Sequence, residues 1–316
     1  MAVFRKIAIV ALILGLFIFV LAMTAKGWDF SKLSASKMIT STYEIEEEIT
    51  SISIVGDTED LTILPSEDGK TKFVFYESEE MKHTISYNEG TASISINDTR
   101  KWYNYIFNAI NEKTTLYLPK EVCKALKIDA STGDITISSE LSFESIDISI
   151  STGDINCCAS ASESTKIKVS TGDISISDAR VGALTLTSST GKMKLSNISA
   201  SEVFLKVTTG DVKITNLTCE SFRSEGSTGK IEMTSLISSG NLTIERSTGD
   251  TKFEACDAKE IYVETSTGDV RGSFLTEKII FTKTNTGKVD VPRSTTGGKC
   301  EIKTDTGDIK ITYASQ

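Results

Sequence analysis

The stretch Ser131-Thr132-Gly133-Asp134-Ile135 opens a pattern that runs almost to the end of this 316-residue chain. A Thr-Gly pair recurs at Gly133, Gly153, Gly172, Gly191, Gly210, Gly229, Gly249, Gly268, Gly287 and Gly307, so successive glycines lie 20, 19, 19, 19, 19, 20, 19, 19 and 20 residues apart. Self-similarity at a short fixed period marks a repeat architecture, in which each unit buries its apolar face only against its neighbours.

Aligned on the glycine, the ten units share apolar residues seven and five positions before it and two and four after it. Of those forty positions thirty-five are apolar, as in Ile146, Ile148, Ile155 and Cys157 around Gly153. Polar residues such as Asp147, Ser149 and Asn156 alternate with them, which is the period of a half-buried strand on each side of a corner. Only one strong turn signal recurs per unit, so a hairpin meander is disfavoured. The pattern predicts an all-β, parallel β-solenoid of about ten coils of 19–20 residues. At roughly 4.8 Å per coil this makes a rod about 48 Å long. Ala179, Ile198, Leu217, Leu236, Cys256 and Leu275, seven residues past their glycines, read as a third inward contact that makes the cross-section a flattened triangle.

The corners have a structural reading. Glycine permits positive φ where the strand changes direction. The preceding Thr has inward parity and is expected to pack its methyl while its hydroxyl bonds the turn. After each glycine comes Asp, except at Lys192, Lys230 and Lys288, which interrupt a line of carboxylates that would otherwise repel one another. Calcium-binding rolls use a nine-residue glycine-rich repeat that is absent here, and lysines in the line oppose a metal, so no metal site is assigned.

In chain order, residues 1–6 form a basic N-terminus and residues 7–25 are uncharged, long enough for one transmembrane helix that is read as an uncleaved anchor. Its orientation is read as N-terminus inside and the bulk outside. Residues 26–42 form a polar spacer, with Trp28 and Phe30 at the membrane interface. Residues 43–121 alternate like strands without the repeat and are expected to cap the solenoid. Within them Trp102, Tyr103, Tyr105 and Phe107 form the densest aromatic patch, a cap element or an interaction patch. Residues 122–316 are the repeat. Only Thr312 to Gln316 follow the last unit, so the final coil is expected to present an open edge, with Tyr313 folding over it as the simple alternative.

Composition limits the chemistry. The formal charge is −9 and there is no basic stripe, so nucleic acid is not an expected partner. The cysteines, 123, 157, 158, 219, 256 and 300, match no zinc or disulfide framework and read as buried thiols. His83 is the only histidine and has no nucleophile motif beside it, so no catalytic residue and no cofactor are assigned. Asn97, Asn197, Asn216 and Asn241 fit the glycosylation pattern, which chance supplies readily in a Ser/Thr-rich chain.

An N-terminal anchor, a strand-rich lead-in, the segment TTLYLPKEVCKALKIDASTGDITI at Thr114 to Ile137 and tandem STGDI units together resemble the bacterial "putative adhesin" family of β-strand-repeat domains of unknown function. The resemblance spans about residues 45–312. It implies a membrane-anchored β-solenoid of the cell envelope, and it brings no catalytic residues. The leading expectation is a non-enzymatic binding or sensing module on the cell membrane with an extracytoplasmic solenoid, meeting an envelope protein or a glycan. Two alternatives stay open: a scaffold that self-associates end to end through the C-terminal coil, and a carbohydrate-active β-helix enzyme.

Overall fold

The computed structural model describes residues 2–25, 27, 39–47, 49–56, 60–99, 113–120 and 124–314, with helix side chains described at 12–21 and 23–25. The repeats fold as expected into a parallel β-solenoid. Strands before each corner pair in parallel with their counterparts one coil away, as in Ile148↔Ile167 and Leu184↔Val203, and strands after it do the same, as in Ile155↔Ile174. The inward rows are closed from water. Ile148, Ile167, Leu186, Leu205, Ile244 and Val263 belong to one apolar cluster that runs from Ile45 to Ile311.

Each coil turns twice. The first turn is the Thr-Gly corner, where glycine φ lies between 125° and 158°. A Cβ at Gly210 would fall inside van der Waals contact with the Gly191 carbonyl oxygen, so close stacking as well as φ excludes a side chain. The second turn comes six residues after the glycine, where Asp178, Asn197, Asn216, Ser235 and Ala255 adopt left-handed φ of 50–55°. Short polar side chains tolerate that conformation, and here they also stack: Asn197 Nδ2 donates to Asp178 Oδ1 at 2.8 Å, and Asn216 Nδ2 to Asn197 Oδ1 at 3.0 Å. The next residue then points inward, which places Ala179, Ile198, Leu217, Leu236 and Cys256 in the core.

Two expectations about these turns are corrected. Leu275 is 45% exposed, because the coil after Gly268 lacks the left-handed residue and Phe274 takes the inward place opposite Cys256. The corner threonines, from Thr132 to Thr306, are exposed and do not pack inward. Alternation stops just before them, where Ser151 and Thr152 are both exposed, and the pairing passes over Ser151 and Ser170 between Ile150↔Val169 and Thr152↔Thr171 with the register unchanged.

Strands Ser51–Gly56 and Asp60–Pro65 form a coil lacking Thr-Gly, with Ile52↔Leu126, Ile54↔Ile128, Leu61↔Ile135 and Ile63↔Ile137. Strands Thr91–Asp98 and Lys113–Leu118 add one more parallel level beneath it. Only then does the cap begin: Met81–Asn88 and Thr71–Glu77 pair antiparallel below, and Ile39–Ile45 closes the second side.

The C-terminal end overturns the expected order. Strand Gly298–Thr306 pairs with Thr251–Thr267 on one side and with Lys278–Thr286 on the other. Ile309–Tyr313 likewise sits between Val270–Phe274 and Val289–Asp290. The last coil in sequence is therefore the last but one in space, and the coil around Gly287 forms the end of the rod. Gly297 and Gly298 mark where the returning chain threads inward, because a Cβ on them would strike the carbonyl oxygens of Glu277 and Lys259. Tyr313 does not fold over the end: its hydroxyl lies 3.2 Å from the Lys278 amide nitrogen, bracing the start of the terminal coil.

The helix Ala2–Ala25 covers the expected span of residues 7–25. Among the described residues no helix is long and apolar enough to cross a membrane.

Truncation after Gly297 should remove an interior level, leaving the coil at 278–290 without its partner. Hydrogen exchange is expected to show lost amide protection at residues 280–284, whereas a rod stacked in sequence order would lose protection only at the cut.

Candidate functional site

Along the Thr-Gly edge the aspartates have a definite task. The Asp134 carboxylate accepts the Asp154 amide at 2.8 Å, Asp154 that of Asp173 at 2.8 Å, and Asp173 that of Lys192 at 2.7 Å. Each carboxylate thus satisfies an amide of the neighbouring coil that faces out of the turn. Repulsion between stacked carboxylates is offset by these N–H donors, which the sequence reading missed. Asp60 plays the same part for Asp134 at 2.9 Å, within the coil that has no Thr-Gly. Lys288 lies on the terminal coil, where no further amide needs an acceptor; its own amide donates to Asp308 at 2.9 Å. Among the described residues no group of three or more His, Cys, Asp or Glu is placed to hold a metal.

The sidewall just before the corner is concave. A groove of about 490 Å³ is lined by Lys206, Glu225, Glu245 and Glu264 on one row and by Thr208, Ser227, Ser247 and Ser266 on the next. The row stacks in register, Lys206↔Glu225↔Glu245↔Glu264↔Lys303. Like charges directly opposite each other are unfavourable, and cations bridge them. Arg223 Nη2 lies 2.9 Å from Glu225 and 3.2 Å from Glu245, and Lys206 lies 3.4 Å from Glu225. Hydrogen bonds from Arg223, and then from Lys206, hold the Glu225 carboxyl below the usual carboxylate range. Tyr262 donates its hydroxyl to Glu264, which pushes the phenol up, and Lys303 Nζ stands 5.1 Å from its ring centre.

Behind the groove floor Arg246 is buried, 4% exposed, and Nη2 donates to Ser224 at 2.9 Å. Its guanidinium occupies the volume that a side chain at Gly226 would fill. Burial pushes its pKa down to about 10. Ser224, Gly226 and Arg246 form a compensating set within two adjacent coils: two small residues vacate core volume and one long side chain fills it.

A family model, Toastrack DUF4097, matches residues 49–312. The chain belongs to this family. Similar solved structures include a "putative adhesin" from Bacteroides fragilis, 17% identical, covering 88% of this chain and 99% of that one at a TM-score of 0.45. Another is a "putative lipid binding protein" from Parabacteroides distasonis, 14% identical over 86% and 97%, at a TM-score of 0.46. A second "putative adhesin" from the latter organism is 12% identical over 88% and 98%, at a TM-score of 0.47. Among curated proteins there is no match.

The Toastrack coils contain all ten expected corner glycines. The aromatic patch of Trp102, Tyr103, Tyr105 and Phe107, the spacer aromatics Trp28 and Phe30, and Cys123 lie outside the described residues. His83 belongs to the cap core, stacked on Phe75 with ring centres 3.9 Å apart and with Nδ1 3.3 Å from Glu77. Burial works to raise the Glu77 pKa, but the His83 amide, Ser41 and Tyr43 donate to the carboxylate, and together with the nearby His83 charge they hold it below the ordinary range.

Cys157, Cys219, Cys256 and Cys300 are buried free thiols. Burial pushes Cys157 and Cys300 up to about 12. In the unfolded chain these thiols ionise near pH 8.5–9, so their contribution to stability is complete below that point. It falls as pH rises toward 12, by up to about 1.4 kcal/mol per pH unit for each thiol. Urea unfolding at pH 8 and pH 10 should show a steep alkaline loss, which Cys157→Ala or Cys300→Ala flattens.

Asp173→Ala should lower stability by about 1 kcal/mol in the same assay, because the Lys192 amide loses its acceptor. Lys288→Ala should lie within ~0.5 kcal/mol of the parent.

Proposed function

We propose that this Toastrack protein is a membrane-anchored, non-enzymatic binding rod of the bacterial cell envelope, adhesin-like in action, with its solenoid outside the membrane. The observation that carries the reading is the sidewall groove. It offers stacked carboxylates and a row of hydroxyls on a regular ladder. Its charged groups are engaged with one another, Glu225 with Arg223 and Lys206 and Glu264 with the Tyr262 hydroxyl. Such a surface suits a hydroxyl-rich polymer such as an envelope glycan, held by many modest hydrogen bonds along several coils.

Anchoring is supported by the helix Ala2–Ala25. Leu12, Ile13, Leu14, Leu16, Phe17 and Ile18 are each 59–72% exposed, and such side chains call for an apolar surrounding, which supports attachment to a membrane rather than a demonstrated crossing of it. Among the described residues the coils that line the groove carry no long loops to build a cleft above it.

The full chain, expressed in a bacterial host, should remain in the membrane pellet after alkaline carbonate washing, and added protease should degrade the solenoid on intact cells. Purified chain should retain soluble envelope polysaccharide on a sedimentation column without shortening it. Glu225→Gln with Glu245→Gln should weaken that retention at least threefold. Release by carbonate would overturn the anchor, and shortened polysaccharide would overturn the non-enzymatic reading.

A further inference from the structure

The two ends of the rod differ. At the N-terminal end the antiparallel strands Met81–Asn88 and Ile39–Ile45 close the core, and among the described residues each pairs on one side only. At the other end nothing described covers the terminal coil. Lys278–Thr286 pairs only with Gly298–Thr306, and Val289–Asp290 only with Ile309–Tyr313. Residues facing into the solenoid, buried one coil below as Ile302, Ile309 and Ile311, are matched on the terminal coil by half-buried Thr282 and Val291 and by exposed Val289.

Exposed apolar side chains gather at these ends. Outside the helix seven large hydrophobic residues are strongly exposed among the described residues. Five of them, Ile39, Tyr43, Tyr87, Phe281 and Val289, lie on the two sets of end strands. An unpaired strand edge flanked by such residues is a template for another chain. Charge separates in the same way. Residues 39–99 hold 14 Asp and Glu against 3 Lys, whereas residues 278–316 hold 7 Lys and Arg against 4 Asp and Glu.

We propose that the terminal coil of one copy docks on the N-terminal cap of the next, so that rods join head to tail. Lys278–Thr286 has nine residues and Met81–Asn88 has eight, and they end the same ladder at opposite poles. Met81–Asn88 runs against the other strands of that ladder, so coaxial docking makes an antiparallel pair across the joint. Val289–Asp290 then meets Ile39–Ile45 on the second ladder. A head-to-head joint would bring Lys283 and Lys288 against their own copies and leave the acidic cap uncovered. The contact is heterologous and open-ended, so it extends beyond two copies. Residues 26–38 span up to roughly 43–47 Å when extended, enough for each anchor to stand beside its rod. The inference is independent of the groove and its ligand.

The test is sedimentation velocity of the full chain in detergent micelles over a hundredfold concentration range. Association past the dimer is expected at 50 mM salt, weakened at least tenfold at 500 mM. Lys283→Glu with Lys288→Glu should weaken it at least tenfold, and so should Glu79→Lys with Glu89→Lys. A chain carrying all four substitutions restores opposite charge across the joint and should regain association. A single monomeric species throughout would overturn the proposal. Dimers that stop at two and ignore the Glu79 and Glu89 reversals would replace it with a head-to-head contact. Association indifferent to all four substitutions would assign it to the helix.

Discussion

The structure depends on one repeated approach: the amides of nine corner glycines, all but Gly287 on the terminal coil, donate to the threonine carbonyl of the neighbouring coil at 2.8–3.1 Å. At that spacing the next coil occupies the space where a Cβ would stand, so the constraint acts through volume and through φ together. Everything else on the edge follows from keeping that stack in line. An amide beside the glycine is left facing along the axis, and an aspartate of the adjacent coil accepts it. The carboxylates that look like a metal ladder in one dimension are backbone acceptors in three.

This explains which parts were legible in the sequence. Period and parity express a constraint that every coil obeys, so Ile148, Ile155 and their equivalents could be placed without coordinates. Axial order expresses none. Coils built to one plan can stack on each other in any sequence, and nothing in the Gly287 or Gly307 units states which lies outside. The local trace of the exchange is Gly297-Gly298, needed where the chain slips between two carbonyls. The coil at 51–65 was hidden for a related reason. Ile52, Ile54, Leu61 and Ile63 keep the spacing of Ile146, Ile148, Ile155 and Cys157, and Asp60 stands in the acceptor place, but no Thr-Gly announces it. A search on the apolar spacing alone would have found it. The corner threonines were misassigned because alternation was carried through a point where two successive residues, such as Ser151 and Thr152, both face outward.

The groove was not legible, since no single unit contains it. It arises from Glu225, Glu245 and Glu264 stacking from three consecutive coils, with cations supplied by Lys206 and Lys303 from the coils on either side and by Arg223 from the coil of Glu225 itself. A solenoid turns residues 19 or 20 apart in sequence into neighbours, so its surface chemistry is written in columns. Read by column, this sidewall passes from Lys206 through three glutamates to Lys303, a banded pattern that linear inspection does not display.

The same geometry explains why the ends carry the remaining tension in the design. Interior coils are covered on both sides and tolerate substitutions as awkward as Ser224, Gly226 and Arg246, because a neighbour can supply what one coil lacks. An end coil has one neighbour. At the N-terminal pole the chain spends three strands and most of its surplus acid closing the stack; at the other, Gly298–Thr306 and Ile309–Tyr313 lie inside and the earlier segment Lys278–Thr286 is outermost. Gly298–Thr306 and Ile309–Tyr313 each have partners on both edges, so the exposed edge belongs to Lys278–Thr286, a segment tethered at both its ends. The arrangement leaves the edge of Lys278–Thr286 open, and it is on this edge that the proposed head-to-tail joint rests.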